Sequence, residues 1–353
     1  MQTDGPANVG RPHKALRLNR EAGYAIGIHI DVGLVHSALV DLSGRVIKAS
    51  TIEHPLDASW KDVLDETCGQ VNLLIEGLLP EKILGVGVAA SGLVDPFTGV
   101  NVYAPNLHWY DVPLRDYLGE KLGLPIIVEN NARAMAFGES LFGVARGVGS
   151  TAFVYARYGV GAGFVVNGQL FRGSAAGAGE VGHTKILLQE GNGSRRVVCL
   201  EDLISEPAIL RGVREIAHTD DLTLREVFCA ARAGETAILS FLRERAFHTG
   251  LALANLVNIF NPDLIVLGGI LAQYADMLLP DIRETAADHA FGKLADTLRI
   301  EATALGEQAG MIGAAALVLG EMFIVAYGGR CHDPRLYSDC APHFRCGTGA
   351  AKN

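Results

Sequence analysis

The sequence has few basic residues. Its 353 residues include 30 Lys and Arg against 39 Asp and Glu, which gives a formal net charge of −9. A basic DNA-binding surface over most of the chain is therefore excluded. Cysteine is also sparse, with six residues and no regular spacing. That usage favours a reducing cytoplasm over a disulfide scaffold.

Long hydrophobic runs are missing as well. Apolar runs such as 264–267 and 314–319 are too short to span a bilayer. The first 20 residues are polar and lack the apolar core of a signal peptide. We therefore expect a cytoplasmic protein with no membrane partner. Apolar residues make up 49% of the chain, which is enough for a packed core.

Two β-rich blocks, each followed by helical periodicity, organise the chain. Alternating and β-branched runs predict strands, and apolar residues spaced by three or four predict helices. Two such blocks with helical crossovers indicate an α/β architecture with two lobes. The predicted strands are 24–31, 36–41, 45–52, 83–89, 125–128, 151–156, 161–166, 264–267 and 298–302. The predicted helices are 59–79, 113–122, 130–142, 206–217, 224–231, 235–260, 274–288 and 308–322.

Seven segments in a fixed order resemble the ROK family of repressors, unassigned reading frames and sugar kinases. Any one segment is weak, but the ordered set is specific. The resemblance implies the two-lobed actin-like, hexokinase-type (ribonuclease H-like) fold with a sugar site in the cleft. The segments are 30–41, 91–109 (SGLVDP…APNLHW), 129–139, 159–168, 177–183 (GAGEVGH), 199–201 and 264–271 (LIVLGGIL).

The resemblance also suggests domain boundaries. We expect an arm or linker at 1–23 and an N-terminal lobe at 24–130, completed by a helix at 308–325. A C-terminal lobe at 131–307 would carry the sugar site and the oligomer interface. Residues 328–353 have no periodicity and indicate an irregular tail. Family members usually form dimers or tetramers, so a homodimer or homotetramer is expected.

The segment from Gly10 to Gly23 resembles the link between a winged helix-turn-helix domain and the sugar-binding body in the family's repressors. Only nine residues precede Gly10, fewer than a helix-turn-helix needs. We therefore expect that domain to be missing, and DNA to be contacted only through it. Truncation, a misassigned start and a headless homologue remain open.

Both phosphate loops depart from the family's kinases. The first loop of the kinases reads Asp-x-Gly-Gly-Thr, whereas residues 31–35 read Asp-Val-Gly-Leu-Val. The second contains Gly-Thr-Gly, whereas residues 159–161 read Gly-Val-Gly. Each loop loses a hydroxyl donor, and the first gains bulk where a phosphate would approach the backbone. The remaining loop residues are Asp31, Gly33, Gly159, Gly161, Gly268 and Gly269.

The catalytic motif is changed at its central residue. Kinases of the family carry Glu-Asn-Asp-Ala, and residues 129–132 read Glu-Asn-Asn-Ala. Asn131 therefore stands where the resemblance puts the catalytic aspartate. An amide is not basic near neutral pH, and loss of a general base costs ~10²–10⁴ in rate. An asparagine still donates and accepts hydrogen bonds, so sugar binding can outlast phosphoryl transfer.

The sugar-binding positions implied by the resemblance are better kept. Amides and carboxylates in a cleft satisfy paired sugar hydroxyls. Taken singly, each residue equally fits a helix cap, an ordinary turn or a satisfied core group. These positions are Gly92, Asn106, Asn130, Asn131, Glu180, His183 and Glu201.

The structural zinc that the family often binds is not expected here. Of its His and three Cys ligands, only His183 and Cys199 remain. Two ligands do not close a tetrahedral site. We expect no metal and no cofactor, with Mg-ATP required only if the chain is a kinase.

Three functions follow from these observations. The favoured one is a sugar-sensing body of a transcriptional regulator without kinase activity. The first alternative is an ATP-dependent sugar kinase, glucokinase-like or acting on an N-acetylamino sugar. The second is a headless scaffold in which sugar binding is vestigial.

Overall fold

A computed structural model of the chain describes residues 17–189, 193–219 and 221–326. The first β-rich block folds as a five-stranded sheet of order β3-β2-β1-β4-β8. β1 is central and every one of its residues is buried. It runs antiparallel to β2 and parallel to β4. These strands are β1 (Tyr24–Asp31), β2 (Leu34–Asp41), β3 (Val46–Glu53), β4 (Ile83–Ala90) and β8 (Ile126–Asn130).

The second block repeats this topology. Its sheet has the order β11-β10-β9-β14-β15, again with antiparallel neighbours on one side of the central strand and parallel ones on the other. Two sheets with the same strand order agree with the two-lobed actin-like fold that the sequence predicts. The strands are β9 (Ser150–Ala156), β10 (Val160–Val166), β11 (Gln169–Phe171), β14 (Leu264–Gly269) and β15 (Arg299–Ala302).

The structure contains two smaller sheets, and the sequence predicts neither. A three-stranded sheet consists of β5 (Leu93–Asp95), β6 (Val100–Ala104) and β7 (Trp109–Val112). A hairpin consists of β12 (Lys185–Gln189) and β13 (Arg195–Cys199). Glycine, proline and polar residues interrupt the first group, so alternation is too short to read.

The sequence predicts eight of the ten helices in the described residues, with shifts of a few residues at their ends, but not the two four-residue helices at 201–204 and 270–273. α7 is the longest, and it ends where Asn261 turns left-handed before Pro262. The helices are α1 (Trp60–Ile75), α2 (Leu114–Leu122), α3 (Asn131–Phe142), α4 (Glu201–Ile204), α5 (Glu206–Ala217), α6 (Leu224–Arg232), α7 (Thr236–Phe260), α8 (Ile270–Gln273), α9 (Ala275–His289) and α10 (Ala309–Ala326).

α10 lies directly on the backbone of the first sheet. A Cβ at Gly27 would lie 1.9 Å from the Met311 carbonyl oxygen, and one at Gly87 would lie 1.8 Å from that of Ala314. Glycine at both positions lets the helix approach β1 and β4 this closely. α10 also packs against α3, which begins at the cleft. The rigid core therefore reaches the segment that carries Asn130 and Asn131.

Some of the predictions lie outside the described residues. These are the tail at 328–353 and most of the arm at 1–23, including the first seven residues of the 10–23 segment. The predicted domain boundaries stay predictions. Across residues 17–326 as described, no helix combines the length and the apolar character needed to cross a membrane.

Candidate functional site

A cavity of about 210 Å³ opens in the cleft at the carboxyl ends of β1, β4 and β8. This is where ligands bind in open α/β sheets. The structure brings all seven predicted sugar-binding positions to its wall, from both lobes. They are Gly92, Asn106, Asn130, Asn131, Glu180, His183 and Glu201.

Asn130 joins β8 to α3 and caps the helix. Its Oδ1 accepts a hydrogen bond from the Arg133 backbone N–H at 3.2 Å. Its Nδ2 donates to the Gly92 carbonyl at 2.9 Å. A side-chain amide carries two donors and two acceptor lone pairs, so one of each remains for a ligand. The capping role that Asn130 also fits is therefore compatible with a binding role.

Asn131 has a fixed amide orientation. Its Oδ1 accepts from the Ala132 backbone N–H at 2.8 Å, and its Nδ2 lies 3.0 Å from the Ser91 Oγ. Because a backbone N–H only donates, the oxygen must face Ala132 and the nitrogen must face Ser91. The Ser91 hydroxyl donates in turn to Asp31 Oδ1 at 3.1 Å. Asn131 is thus a hydrogen-bond donor at the position where the family resemblance places the catalytic aspartate of the kinases.

Three other side chains face the cavity with free polar ends. Asn106, Glu180 and His183 are exposed and line the cavity. None of the three side chains has a hydrogen-bond partner among the described residues. Glu201 accepts the Val160 backbone N–H through Oε2 at 2.8 Å, which leaves Oε1 open. An amide, two carboxylates and an imidazole can satisfy several hydroxyls of one polar ligand.

Gly92 shapes the wall beside these groups. Its φ is +97°, a region that favours glycine. A Cβ there would lie 2.5 Å from the Tyr103 carbonyl oxygen and 2.6 Å from the Ala104 Cβ. The glycine therefore permits both the turn after β4 and the contact with β6.

Asp31 accepts three hydrogen bonds and forms an ion pair with an arginine. Oδ1 receives the Val32 backbone N–H at 2.8 Å and the Ser91 hydroxyl at 3.1 Å. Oδ2 receives the Tyr155 hydroxyl at 3.0 Å and lies 2.9 Å from Arg157 Nη1. Tyr155 and Arg157 come from the second sheet, so the pair joins the two lobes. A carboxylate offers about four lone-pair sites, so three of them accept hydrogen bonds here while Arg157 pairs with the charge.

The charge of Arg157 keeps Asp31 ionised. Burial raises the pKa of Asp31, but the neighbouring His29 and Arg157 and the Val32 hydrogen bond outweigh burial and hold it below its ordinary value. His29 Nε2 lies 3.9 Å from Asp31 Oδ2. Burial lowers the pKa of His29 to about 4, and Asp31 offsets only part of that effect. His29 is therefore neutral at pH 7.

A second cavity of about 430 Å³ lies on the other side of Asp31. Three carboxylates line it, those of Asp31, Glu206 and Glu307, against the single guanidinium of Arg157. Burial raises the pKa of Glu206. By formal charge the lining of this cavity is acidic.

The phosphate-loop residues are divided among three places. Asp31 lines both cavities, while Gly159 and Gly161 line the first one only. Gly268 and Gly269 line the second cavity. Gly33 lies in a shallow groove beside them, at the turn between β1 and β2. The structure does not gather these glycines into one phosphate cradle.

The two remaining positions of the family's zinc site lie near β12 and β13. Lys185 Nζ donates to Cys199 Sγ at 2.9 Å. In the part of the chain that the structure describes, no three His, Cys, Asp or Glu side chains come together as a metal site would require. The neighbour of the Cys199 thiol is the ammonium group of Lys185.

Sequence reasoning missed four polar residues beside the cavity. Ser91 begins a segment already recognised at 91–109, so its position was available as a signal. Tyr155 and Arg157 reach Asp31 from 124 and 126 residues away. Arg133 lies two residues after Asn131 and contacts segments of both lobes. These contacts depend on how the lobes pack, which spacing along the chain does not reveal.

Known proteins of two kinds resemble this chain. The sequence profile of the ROK family matches residues 25–321. A xylose repressor of Caldicellulosiruptor bescii is 30% identical over 333 residues, covering 90% of this chain and 84% of the repressor. A glucokinase of Halalkalibacterium halodurans is 35% identical over 251 residues, covering 67% of this chain and 76% of the glucokinase.

A solved structure of a ROK family protein has a fold similar to that of this chain. The ROK family glucokinase of Streptomyces griseus, in complex with glucose and AMPPNP, matches with a TM-score of 0.74 and 28% identity. The match covers 84% of this chain and 99% of the glucokinase. The predicted two-lobed actin-like, hexokinase-type fold is confirmed. Relatives include both repressors and kinases.

Proposed function

Since the chain belongs to the ROK family, we propose that it is the sugar-sensing body of a transcriptional regulator and that it does not transfer phosphate. Support for sugar as the ligand comes from the cavity, where free amide, carboxylate and imidazole groups of both lobes meet. It also comes from relatives whose names refer to xylose and to glucose. The ligand would be a monosaccharide or a derivative of one.

The contacts of the Asp31 carboxylate support the proposal that the chain does not transfer phosphate. Phosphoryl transfer needs a metal ion on the phosphates and a group that accepts the hydroxyl proton. Asp31 already accepts three hydrogen bonds, and the ion pair with Arg157 neutralises its charge. The amide of Asn131 donates and is not basic. This arrangement supports a body that does not transfer phosphate.

Sensing would work through closure of the cleft. The lobes carry separate parts of the site, with Asn106 on the first and Glu180 and Glu201 on the second. A sugar that bonds to both sides binds the closed form more tightly and shifts the population towards it. With a net charge of −9, the body itself is unsuited to DNA. A separate DNA-binding domain joined to it would read that shift.

The kinase alternative has one observation in its favour, the similarity to glucokinases at up to 35% identity. It requires Arg157 to leave Asp31 and another residue to act as the base. The scaffold alternative requires the free polar groups of the cavity to have no ligand. Both make predictions that differ from those of a sensor.

A coupled ADP-release assay tests the proposal. The chain is given Mg-ATP with a panel of hexoses, pentoses, N-acetylamino sugars and polyols, and added ADP verifies the coupling enzymes. We expect no sugar-dependent ADP, together with binding of at least one sugar in a parallel titration. Sugar-dependent ADP that Asn131→Ala removes would establish the kinase. Absence of any binding would favour the scaffold.

A further inference from the structure

A single guanidinium lies where three segments of the cavity wall meet. It belongs to Arg133, on the first turn of α3, and the residue is 1% exposed. Nη1 donates to the carbonyls of Ala176 at 2.7 Å and Ala178 at 3.3 Å. Nη2 donates to the carbonyl of Val94 at 3.3 Å. The residue thus connects its own helix to a loop of the second lobe and a strand of the first.

A buried carboxylate holds this guanidinium in place. Glu129 is fully buried, and its Oε1 accepts from Arg133 Nε at 2.7 Å and from the Asn130 backbone N–H at 2.9 Å. Its Oε2 accepts from Arg172 Nε at 2.6 Å. Burial raises the pKa of Glu129, but the two arginines outweigh burial and lower it. The ion pair is therefore charged and hydrogen-bonded on both sides.

Each connected segment carries groups of the proposed sugar site. The loop at 173–179 leads directly into Glu180 and His183. Val94 belongs to β5, which follows Gly92. The helix of Arg133 itself begins at Asn131. One side chain thus sets the relative positions of segments that are far apart in sequence.

The loop is held in a conformation that a free chain would avoid. Ala176 is buried and has φ +52°, a left-handed value uncommon outside glycine. The carbonyl of this residue accepts the 2.7 Å bond from Arg133. Without that hydrogen bond, the left-handed backbone of Ala176 would lose a stabilising contact, and the loop would no longer hold Glu180 towards the cavity.

We propose that Arg133 is a positioning residue that sets the sugar affinity by holding these three segments in register. The inference rests on the proposed function, since it concerns the same cavity. Arg133 need not touch the ligand, because its donors already point to carbonyls and to Glu129. A lysine cannot replace it, since an ammonium is a point charge and cannot span donors in three directions.

The test compares Arg133→Lys with Arg115→Lys. Arg115 is a matched control, since its Nη1 and Nη2 donate to the carbonyls of Phe97 at 2.7 Å and Pro96 at 2.5 Å. Pro96 and Phe97 lie three and four residues from the lining residue Leu93, whereas the Arg133 partners Val94 and Ala178 each adjoin a lining residue. Sugar Kd is measured by calorimetry at a temperature where both variants are folded by circular dichroism. We expect Arg133→Lys to weaken binding about tenfold or more and Arg115→Lys to change it less than about twofold.

A second variant covers a failure of Arg133→Lys to fold. Arg172→Gln removes one partner of Glu129, and Arg172 is partly exposed, so its loss is tolerated more easily. We expect it to weaken sugar binding about threefold to tenfold. Hydrogen exchange across 173–183 should rise in both site variants before any global loss of protection, which a purely stabilising role would not produce.

The outcomes separate the two proposals. Wild-type chain that binds no sugar overturns the proposed function, and the positioning role with it. Wild-type binding that persists unchanged in folded Arg133→Lys overturns the positioning role alone. Equal losses in Arg133→Lys and Arg115→Lys also overturn it, since they would report general stability.

Discussion

The side-chain amide of Asn131 donates a hydrogen bond to the Ser91 hydroxyl at 3.0 Å, and that hydroxyl donates to Asp31. The direction of this chain follows from the amide, because an ionised carboxylate can only accept. Asparagine at this position therefore does more than lack a base. Asn131 donates a hydrogen bond to Ser91 Oγ, and this orients the Ser91 hydroxyl hydrogen towards Asp31.

The substitution Asn131→Asp should fail to create a kinase. Two carboxylates would compete for the single Ser91 proton, and Arg157 would still occupy Asp31. We expect the free energy of unfolding at pH 7 to fall by about 1–3 kcal/mol, with no sugar-dependent ADP release. Asn106→Asp is the isosteric control on an exposed, unpartnered amide, and should change stability by less than about 0.5 kcal/mol. ADP release by the Asn131 variant would contradict this account.

Removal of Arg157 should cost far more than removal of an exposed arginine. Arg157→Met leaves the carboxylate of Asp31 charged, with its side chain 4% exposed and without its cation. We expect a loss of about 1–3 kcal/mol, below the range for fully buried pairs because Arg157 is 22% exposed. Arg232→Met breaks a pair with Asp276 whose side chains are 45% and 58% exposed, and should cost under about 1 kcal/mol. Equal losses in urea denaturation would argue against an interlobe pair.

Gly92→Ala should damage both stability and sugar binding. The new Cβ would meet the Tyr103 carbonyl at 2.5 Å and require φ +97°. We expect a loss of about 2–4 kcal/mol and a sugar affinity too weak to measure. Gly77→Ala is the matched control, with φ +80° and no atom within 4 Å of its Cβ. It should cost only about 1 kcal/mol and leave sugar affinity unchanged.

Stability should fall as the solution is acidified from pH 6.5 towards pH 4. The pKa of His29 is lowered from 6.5 to about 4, so in this window the unfolded chain takes up a proton that the folded chain refuses. The stabilisation is fully present above pH 6.5, and up to about 3 kcal/mol is lost by pH 4. The pKa of Asp31 is also lowered, so its contribution falls in the same direction, but it is lost only as the pH drops below the ordinary pKa of 3.8.

The variant His29→Gln isolates this effect. It removes the titrating group, so its free energy of unfolding should depend less on pH between 6.5 and 4 than that of the wild type. Chemical denaturation at several pH values measures both slopes. Equal slopes in the two proteins would show that His29 does not titrate as its burial requires.

Much of the fold could be predicted because local pattern and tertiary burial agree. β1 is a run of alternating isoleucines in a fully buried strand, and its predicted bounds, 24–31, are those observed. α5 likewise begins at Glu206 and ends at Ala217 as predicted. The strands β5, β6 and β7 could not be predicted in this way. Their short segments alternate poorly, and they form only because they pack over the start of the cleft.

In the site, too, some features could be predicted from the sequence and others depend on how the lobes pack. Asn130, Asn131 and Glu201 lie at the end of a strand or the start of a helix, where the local pattern fixes their place. Together with Gly92, Asn106, Glu180 and His183 they line one cavity. The contacts of Arg157 with Asp31 and of Arg133 with Val94 join residues on different lobes. No spacing along the chain encodes such pairs, since they depend on the packing of two separately formed sheets. Only the structure shows that Ser91, Tyr155 and Arg157 all contact the carboxylate of Asp31.

The most direct test of the central claim is a thermal-shift titration of the whole chain against the sugar panel, without nucleotide. We predict that at least one sugar raises the Tm, since a ligand at 100 times its Kd stabilises the folded state by about 2.7 kcal/mol. Glu180→Gln should abolish that shift, whereas Glu120→Gln, an exposed control outside the cavity, should retain it. A panel in which no sugar raises the Tm of the wild-type chain would contradict the account.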